Sequence, residues 1–201
     1  GIPVILDAMR NHPGSEVVTT ACLGAIFSLS VLLSNKEEIG SLGGGQAGVR
    51  ARKAFPRSTL IQAQGVGACW NLSSVKANRR AIIENGGIEV LLLAVERQFG
   101  DGDGDDEKGE QGAEEEKGKS RNNSNRGKVA ILEMSFGALS NVCDEQEANE
   151  EVGRRGGIEK GLLTLKKLSK RSGSGSESGE RDGLAAATQQ AMAFLWTAST
   201  N

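Results

Sequence analysis

Tyrosine is absent from this 201-residue chain, aromatic residues make up only 3% of it, and there are three prolines, three cysteines and one histidine. Each shortage excludes something. With so few aromatics the core must be built from Ala, Gly, Leu, Ile and Cys, and the smaller of these let helices approach closely, giving a thin packed layer. The single histidine, His12, lies in the turn Asn11-His12-Pro13-Gly14-Ser15, so a histidine-based triad would hang on one loop residue. No catalytic residue is assigned. The three cysteines, Cys22, Cys69 and Cys143, are odd in number, sit among apolar neighbours and include no Cys-x-x-Cys pair. That pattern fits buried thiols in a reducing compartment, cytoplasmic or nuclear, and neither a disulfide framework nor a metal site. A net charge of −2 gives no drive toward nucleic acid or an anionic membrane. Residues 17–35 carry no charge and approach spanning length, but Thr19, Thr20, Ser28, Ser30 and Ser34 interrupt the run, so membrane insertion is not expected. No start methionine or basic leader precedes that run, and the chain reads as a fragment of a longer protein.

What is present is repetition. Gly24-Ala25-Ile26-Phe27-Ser28-Leu29-Ser30 matches Gly67-Ala68-Cys69-Trp70-Asn71-Leu72-Ser73, and Gly43-Gly44 returns as Gly86-Gly87, both at an offset of 43 residues. Gly137-Ala138-Leu139-Ser140-Asn141-Val142, followed by Gly156-Gly157-Ile158, is a third copy, and Ala193-Phe194-Leu195-Trp196-Thr197-Ala198 a fourth. A period in the low forties points to stacked helical units, an all-α solenoid. The wider later spacings trace to two stretches, 100–126 and 171–183, that lack large apolar side chains. Both are expected to be disordered inserts, because they bury too little apolar surface to offset the entropy of ordering.

Apolar periodicity places long helices at 15–33, 58–74, 128–143 and 184–200, with Ser15 and Ser58 at N-cap positions. Short charged helices follow at 76–84 and 145–154. Each glycine pair then makes a sharp turn into an apolar helix such as Ile88-Glu89-Val90-Leu91-Leu92-Leu93. Gly1–Met9 is that same helix, with Pro3 in its first turn.

The Gly-Gly-Ile turn, the Leu-rich helix and the endings Ala68-Cys69-Trp70-Asn71-Leu72 and Ala138-Leu139-Ser140-Asn141-Val142 resemble the armadillo repeat family. The match is poor over 45–56, where Gly45, Gly48 and Arg52 stand in place of Ile88, Leu91 and Val95. The resemblance implies one array over 1–201, a right-handed superhelix of about four repeats with a partial repeat at 1–14. It implies a non-enzymatic scaffold that holds a protein or peptide partner on its concave face, with flanking repeats of the same chain as further partners. The partner-binding candidates it gives are Asn71 and Asn141, with Ser28 and Thr197 at equivalent places and Gly67 and Gly137 one turn earlier. An Asn amide both donates and accepts, so a row of them suits an extended backbone of any sequence. The alternatives are a nuclear-import-type cargo adaptor and the regulatory arm of a larger enzyme. The import reading is weakened because Gly24, Gly67, Gly137 and Ala193 stand where importin-α has tryptophan. Trp70 and Trp196 are expected to be packing residues.

No cofactor site emerges. Asp101–Asp106 starts like a calcium loop but lacks its glycine and closing glutamate, and no strand precedes a glycine-rich phosphate loop. The basic residues Arg50, Arg52, Lys53, Arg57, Arg79 and Arg80 read as a solvated face that an acidic ligand would suit. Asn71-Leu72-Ser73 and Asn122-Asn123-Ser124 are glycosylation triplets without a secretory context. Ser174 with Glu177 is an acidic-context phosphosite pattern.

Overall fold

The computed structural model describes residues 1–98, 114–172 and 178–200, and among them there are eleven α-helices and no strand. In chain order they are α1 (Ile2–Asn11), α2 (Glu16–Leu29), α3 (Leu33–Ser41), α4 (Gly44–Ala54), α5 (Thr59–Ser73), α6 (Lys76–Glu84), α7 (Gly87–Arg97), α8 (Glu114–Cys143), α9 (Gln146–Arg154), α10 (Gly157–Ser172) and α11 (Ser178–Thr200). The long helices neighbour one another as α2 with α5, α5 with α8, and α8 with α11. The helices that precede them neighbour as α1 with α4, α4 with α7, and α7 with α10. One apolar cluster runs through these contacts, from Leu6 through Leu23, Val66, Leu91 and Leu132 to Phe194.

The boundaries follow local chemistry. Ser15 caps α2, its hydroxyl accepting from the Val18 N–H at 3.3 Å. Ser58 occupies the same position before α5, but its hydroxyl caps nothing. There Gln62 secures the turn instead, its Nε2 donating to Phe55 O at 3.1 Å and Arg52 O at 3.0 Å. α2 stops at Leu29, short of the expected 33, and the chain turns through residues 30–32 into α3, with the Ser30 hydroxyl donating back to Phe27 O.

The double glycines divide two tasks. The first of each pair, Gly43, Gly86 or Gly156, has φ of 86°, 84° or 70°, the left-handed conformation that costs any other residue about 1–2 kcal/mol. The second has no room for a side chain. A Cβ on Gly87 would lie 2.7 Å from Ile82 O, and one on Gly157 2.9 Å from Val152 O.

Two expectations change. The part of the first expected insert from Glu114 onward belongs to α8, which starts well before residue 128, and the second from Ser178 onward belongs to α11. Segment 114–126 is helical although it has no large apolar residue. Residues 99–113 and 173–177, with the calcium-like run and the Ser174 phosphosite, lie outside the described residues. The poorly matching stretch after Gly44 is nonetheless helical. Its glycines are filled from outside, since a Cβ at Gly45 would lie 2.8 Å from the Ile82 side chain.

All three cysteines are buried, and no disulfide joins them. Burial pushes each thiol above its ordinary value of 9.0, Cys143 to about 12. No helix among the described residues is long and apolar enough to cross a membrane.

Two outcomes are expected. Gly86→Ala should lower unfolding free energy by about 1–2 kcal/mol, whereas Gly153→Ala, at an open helical site, should raise it by about 0.5–1 kcal/mol in denaturant titrations. The raised thiols keep their protons longer in the folded state than in the unfolded one. Their contribution is therefore whole below pH 9 and is lost as pH climbs toward 12, and replacing Cys143 with Ala should flatten that decline in melts at stepped pH.

Candidate partner-binding surface

A helix leaves its last four carbonyls without intrahelical donors, and in this chain the next long helix supplies one. Asn71 on α5 donates from Nδ2 to Phe27 O at 3.3 Å and to Ser30 Oγ at 3.0 Å, both at the end of α2. Asn141 on α8 does the same at the end of α5, reaching Trp70 O at 3.5 Å and Ser73 Oγ at 3.0 Å. In both, the serine hydroxyl itself donates to the same carbonyl, at 2.9 Å in Ser30 and 3.0 Å in Ser73. The other α5 carbonyls are met as well. Asn71 O accepts from Ser74 Oγ, Leu72 O from Asn78 Nδ2, and Ser73 O from Arg79 Nε.

An aromatic ring accompanies each of these asparagines. A Cβ at Gly67 would lie 2.6 Å from the Phe27 ring and 3.0 Å from Met134 Sδ, and Gly137 lies directly under the Trp70 indole. Gly67 and Gly137 are buried, which removes them from any open groove. The space they leave is taken by a neighbouring helix and not by a ligand backbone. Asn71 and Asn141 remain half-buried, and among the described residues neither amide oxygen is engaged. Thr197, also half-buried, shares a 3.3 Å hydrogen bond with Ser140, while Ser28 is exposed. The six candidates thus divide: two asparagines and Thr197 at helix junctions with one face open, Ser28 in solvent, and two glycines inside.

The basic residues do not form one solvated face. Arg52 is 2% exposed. Its Nη2 donates to Val90 O at 2.9 Å, its Nε to Gln62 Oε1 at 3.2 Å, and its Nη1 is buried without a partner. Burial pulls the guanidinium down to about 10. The stem fills the space beside Gly65, where a Cβ would lie 2.6 Å from Arg52 Cδ. Arg79 bonds Asp144 at 2.9 Å, Arg80 bonds Glu84 at 2.7 Å, and Lys53 lies 3.5 Å from Glu89. Arg50, Arg57 and His12 are exposed. Among the described residues no cluster of three potential metal ligands occurs.

Sequence reasoning missed Asn35 and Asn78. Asn35 Nδ2 donates to Leu29 O at 2.9 Å, and Asn78 Nδ2 to Leu72 O at 3.1 Å and Lys36 O at 3.0 Å. The signal was available, since these two are separated by the same 43 residues as the other landmarks.

The geometry defines an all-helical protein whose long helices are joined by a repeated Asn, Ser and aromatic contact. No family model matches the chain, and no curated protein or solved structure does either.

If the Asn71 amide couples two helices, Asn71→Ala should cost about 1–3 kcal/mol of stability. Combined with Ser30→Ala the loss should be less than additive by about 0.5 kcal/mol or more, read from a double-mutant cycle of urea unfolding curves.

Proposed function

We propose that the chain is an armadillo-like solenoid serving as a non-enzymatic scaffold, which holds an extended protein or peptide segment along its long helices. The observation that carries this reading is the Asn71 and Asn141 pair. Each fixes its Nδ2 to the preceding helix and keeps its Oδ1 unengaged. Support for the repeat comes from the shared 43-residue offset, from the glycine pairs with positive φ at Gly43, Gly86 and Gly156, and from the like junctions of α2 with α5 and α5 with α8. An extended segment offers an N–H to one side at every second residue, which suits a row of amide acceptors.

The side of the partner is constrained by what is missing. Glycines beneath Phe27 and Trp70 leave no place for aromatic slots at Gly67 and Gly137, so the surface is unsuited to gripping a row of lysine side chains. Recognition through the partner's backbone fits better than the import-adaptor reading.

The test is selection from a displayed random-peptide library, followed by titration of a selected peptide. Asn71→Ala and Asn141→Ala should each weaken binding by about 0.5–1.5 kcal/mol at temperatures where the variants stay folded. A basic import-type peptide should bind no better than a scrambled control. Binding by a selected peptide that ignores both substitutions would overturn the reading.

A further inference from the structure

Successive helices of the α1, α4, α7 series leave a cleft between them, beside the turn into the next long helix. The first cleft, of about 250 Å³, has Met9, Arg10, Pro13 and Thr19 in its wall. The second, of about 320 Å³, has Arg52, Lys53, Pro56 and Gln62 at the same places, each 43 residues later. On the far wall Ala54 of the first is replaced by Arg97 in the second. The fold thus builds one cleft twice, and the second copy gains two guanidinium groups.

Two further changes accompany Arg52. Gly65 stands where α2 has Cys22, and the missing side chain makes room for the arginine stem. Gln62 stands where α2 has Thr19, and its Oε1 accepts from Arg52 Nε at 3.2 Å. The fold itself does not call for a cation here. Met9 and, in α7, Val95 are apolar and buried at the equivalent position.

The second cleft is short of negative charge. Lys53 is answered by Glu89 at 3.5 Å and by Asn85 O at 3.2 Å. Arg97 donates to Pro56 O at 2.7 Å, a neutral acceptor. Arg52 donates to Gln62 and Val90 O, also neutral, and its Nη1 is buried without a partner. Burial depresses this guanidinium, and the nearby Arg97 charge adds to the depression. A buried cation without a counter-ion is costly, and a second one beside it raises the cost. The rest of the wall is apolar, from Pro56, Val90 and Leu93.

We propose that this cleft binds a small organic phosphate, with the phosphate group between Arg52 and Arg97 and the apolar body against Pro56, Val90 and Leu93. A phosphate monoester carries close to two negative charges at neutral pH, which matches two unneutralised guanidinium groups. Their planar forks suit its oxygens better than a point charge would. Because Nη1 is buried, side chains of the cleft shift as a phosphate oxygen reaches it, and Lys53 and Arg97, both exposed, are able to. The walls come from α4, α5 and α7, each of which has a neighbouring helix on either side in its own series. The site is separate from Asn71 and Asn141 and stands whether or not those residues hold a partner.

Equilibrium dialysis of the 201-residue chain against phenyl phosphate, inorganic phosphate and benzoate tests it. Phenyl phosphate should bind at one site per chain. Inorganic phosphate should compete for that site at least about tenfold more weakly, for want of the apolar contact. Benzoate, with one charge, should also bind more weakly than phenyl phosphate. Arg52→Met puts into the second cleft the side chain that the first already holds, so the helices should be kept. It should lower affinity for phenyl phosphate at least about tenfold while thermal unfolding stays at or above that of the wild type. Arg97→Gln, at an exposed position, should weaken binding by a similar factor, and it decides the matter should Arg52→Met fail to fold. Arg80→Gln, at an exposed cation on α6, should change nothing. No binding of phenyl phosphate at millimolar concentration, benzoate binding as tightly, a folded Arg52→Met or Arg97→Gln variant that binds like the wild type, or an equal loss on Arg80→Gln would each overturn the proposal.

Discussion

The close approach of successive long helices, with an aromatic ring of one laid over a glycine of the next, is the constraint on which the rest depends. Glycine in mid-helix costs about 1 kcal/mol relative to alanine. Covering a phenylalanine or tryptophan returns more, about 1.5–3 kcal/mol, so the exchange favours the close contact. Any side chain at Gly67 or Gly137 would hold the helices apart. The asparagine amides would then no longer reach Phe27 O and Trp70 O, and each of these carbonyls would keep only its serine donor. Ring, glycine and amide thus form one device, and only its ring and glycine are apolar.

The same need for close approach explains why α4 departs from its counterpart α7. Gly45 and Gly48 remove side chains where α7 has Ile88 and Leu91, and Ile82 moves into the room beside Gly45. Arg52, in place of Val95, lays its stem beside Gly65 and turns its guanidinium toward Gln62 and Val90 O. Two hydrogen bonds meet part of its capacity, and no carboxylate bridges it among the described residues. A buried charge held in this way is depressed by desolvation, and the fold tolerates it because the stem packs.

Periodicity and turn chemistry made the helices legible. Gly86-Gly87 and Gly156-Gly157 mark turns in any sequence, and the 43-residue offset placed α5, α6 and α7 close to where they stand. Helix ends were less legible. The hydroxyl of Ser15 caps α2, while the hydroxyl of Ser58 at the like position before α5 caps nothing and Gln62 secures that turn instead. The start of α8 was invisible to an argument from apolar content, because residues 114–126 carry no large apolar side chain. At the candidate surface, Asn71 and Asn141 could be picked out by resemblance, but their donors' targets lie more than forty residues away in sequence. The glycines could not be told from groove positions without the rings above them. Arg52 read as solvated because a charged residue usually is, and its burial depends on the missing side chain of Gly65.

The division of labour within each asparagine amide sets what a partner of the kind proposed above would have to bring. The Nδ2 hydrogens are fixed on a carbonyl and a hydroxyl of the preceding helix, so the open surface offers acceptors and few donors. A partner supplying carbonyls alone would gain nothing there, whereas one presenting N–H groups would meet Oδ1 atoms already held in place by the fold. Orientation of the amide costs no further entropy on binding, because the helix junction has already fixed it. Under the proposed function, stability and recognition would be coupled by the same bond. Breaking the bond on the Nδ2 side frees the amide to rotate, and the acceptor on the other side loses its direction even while the helices remain.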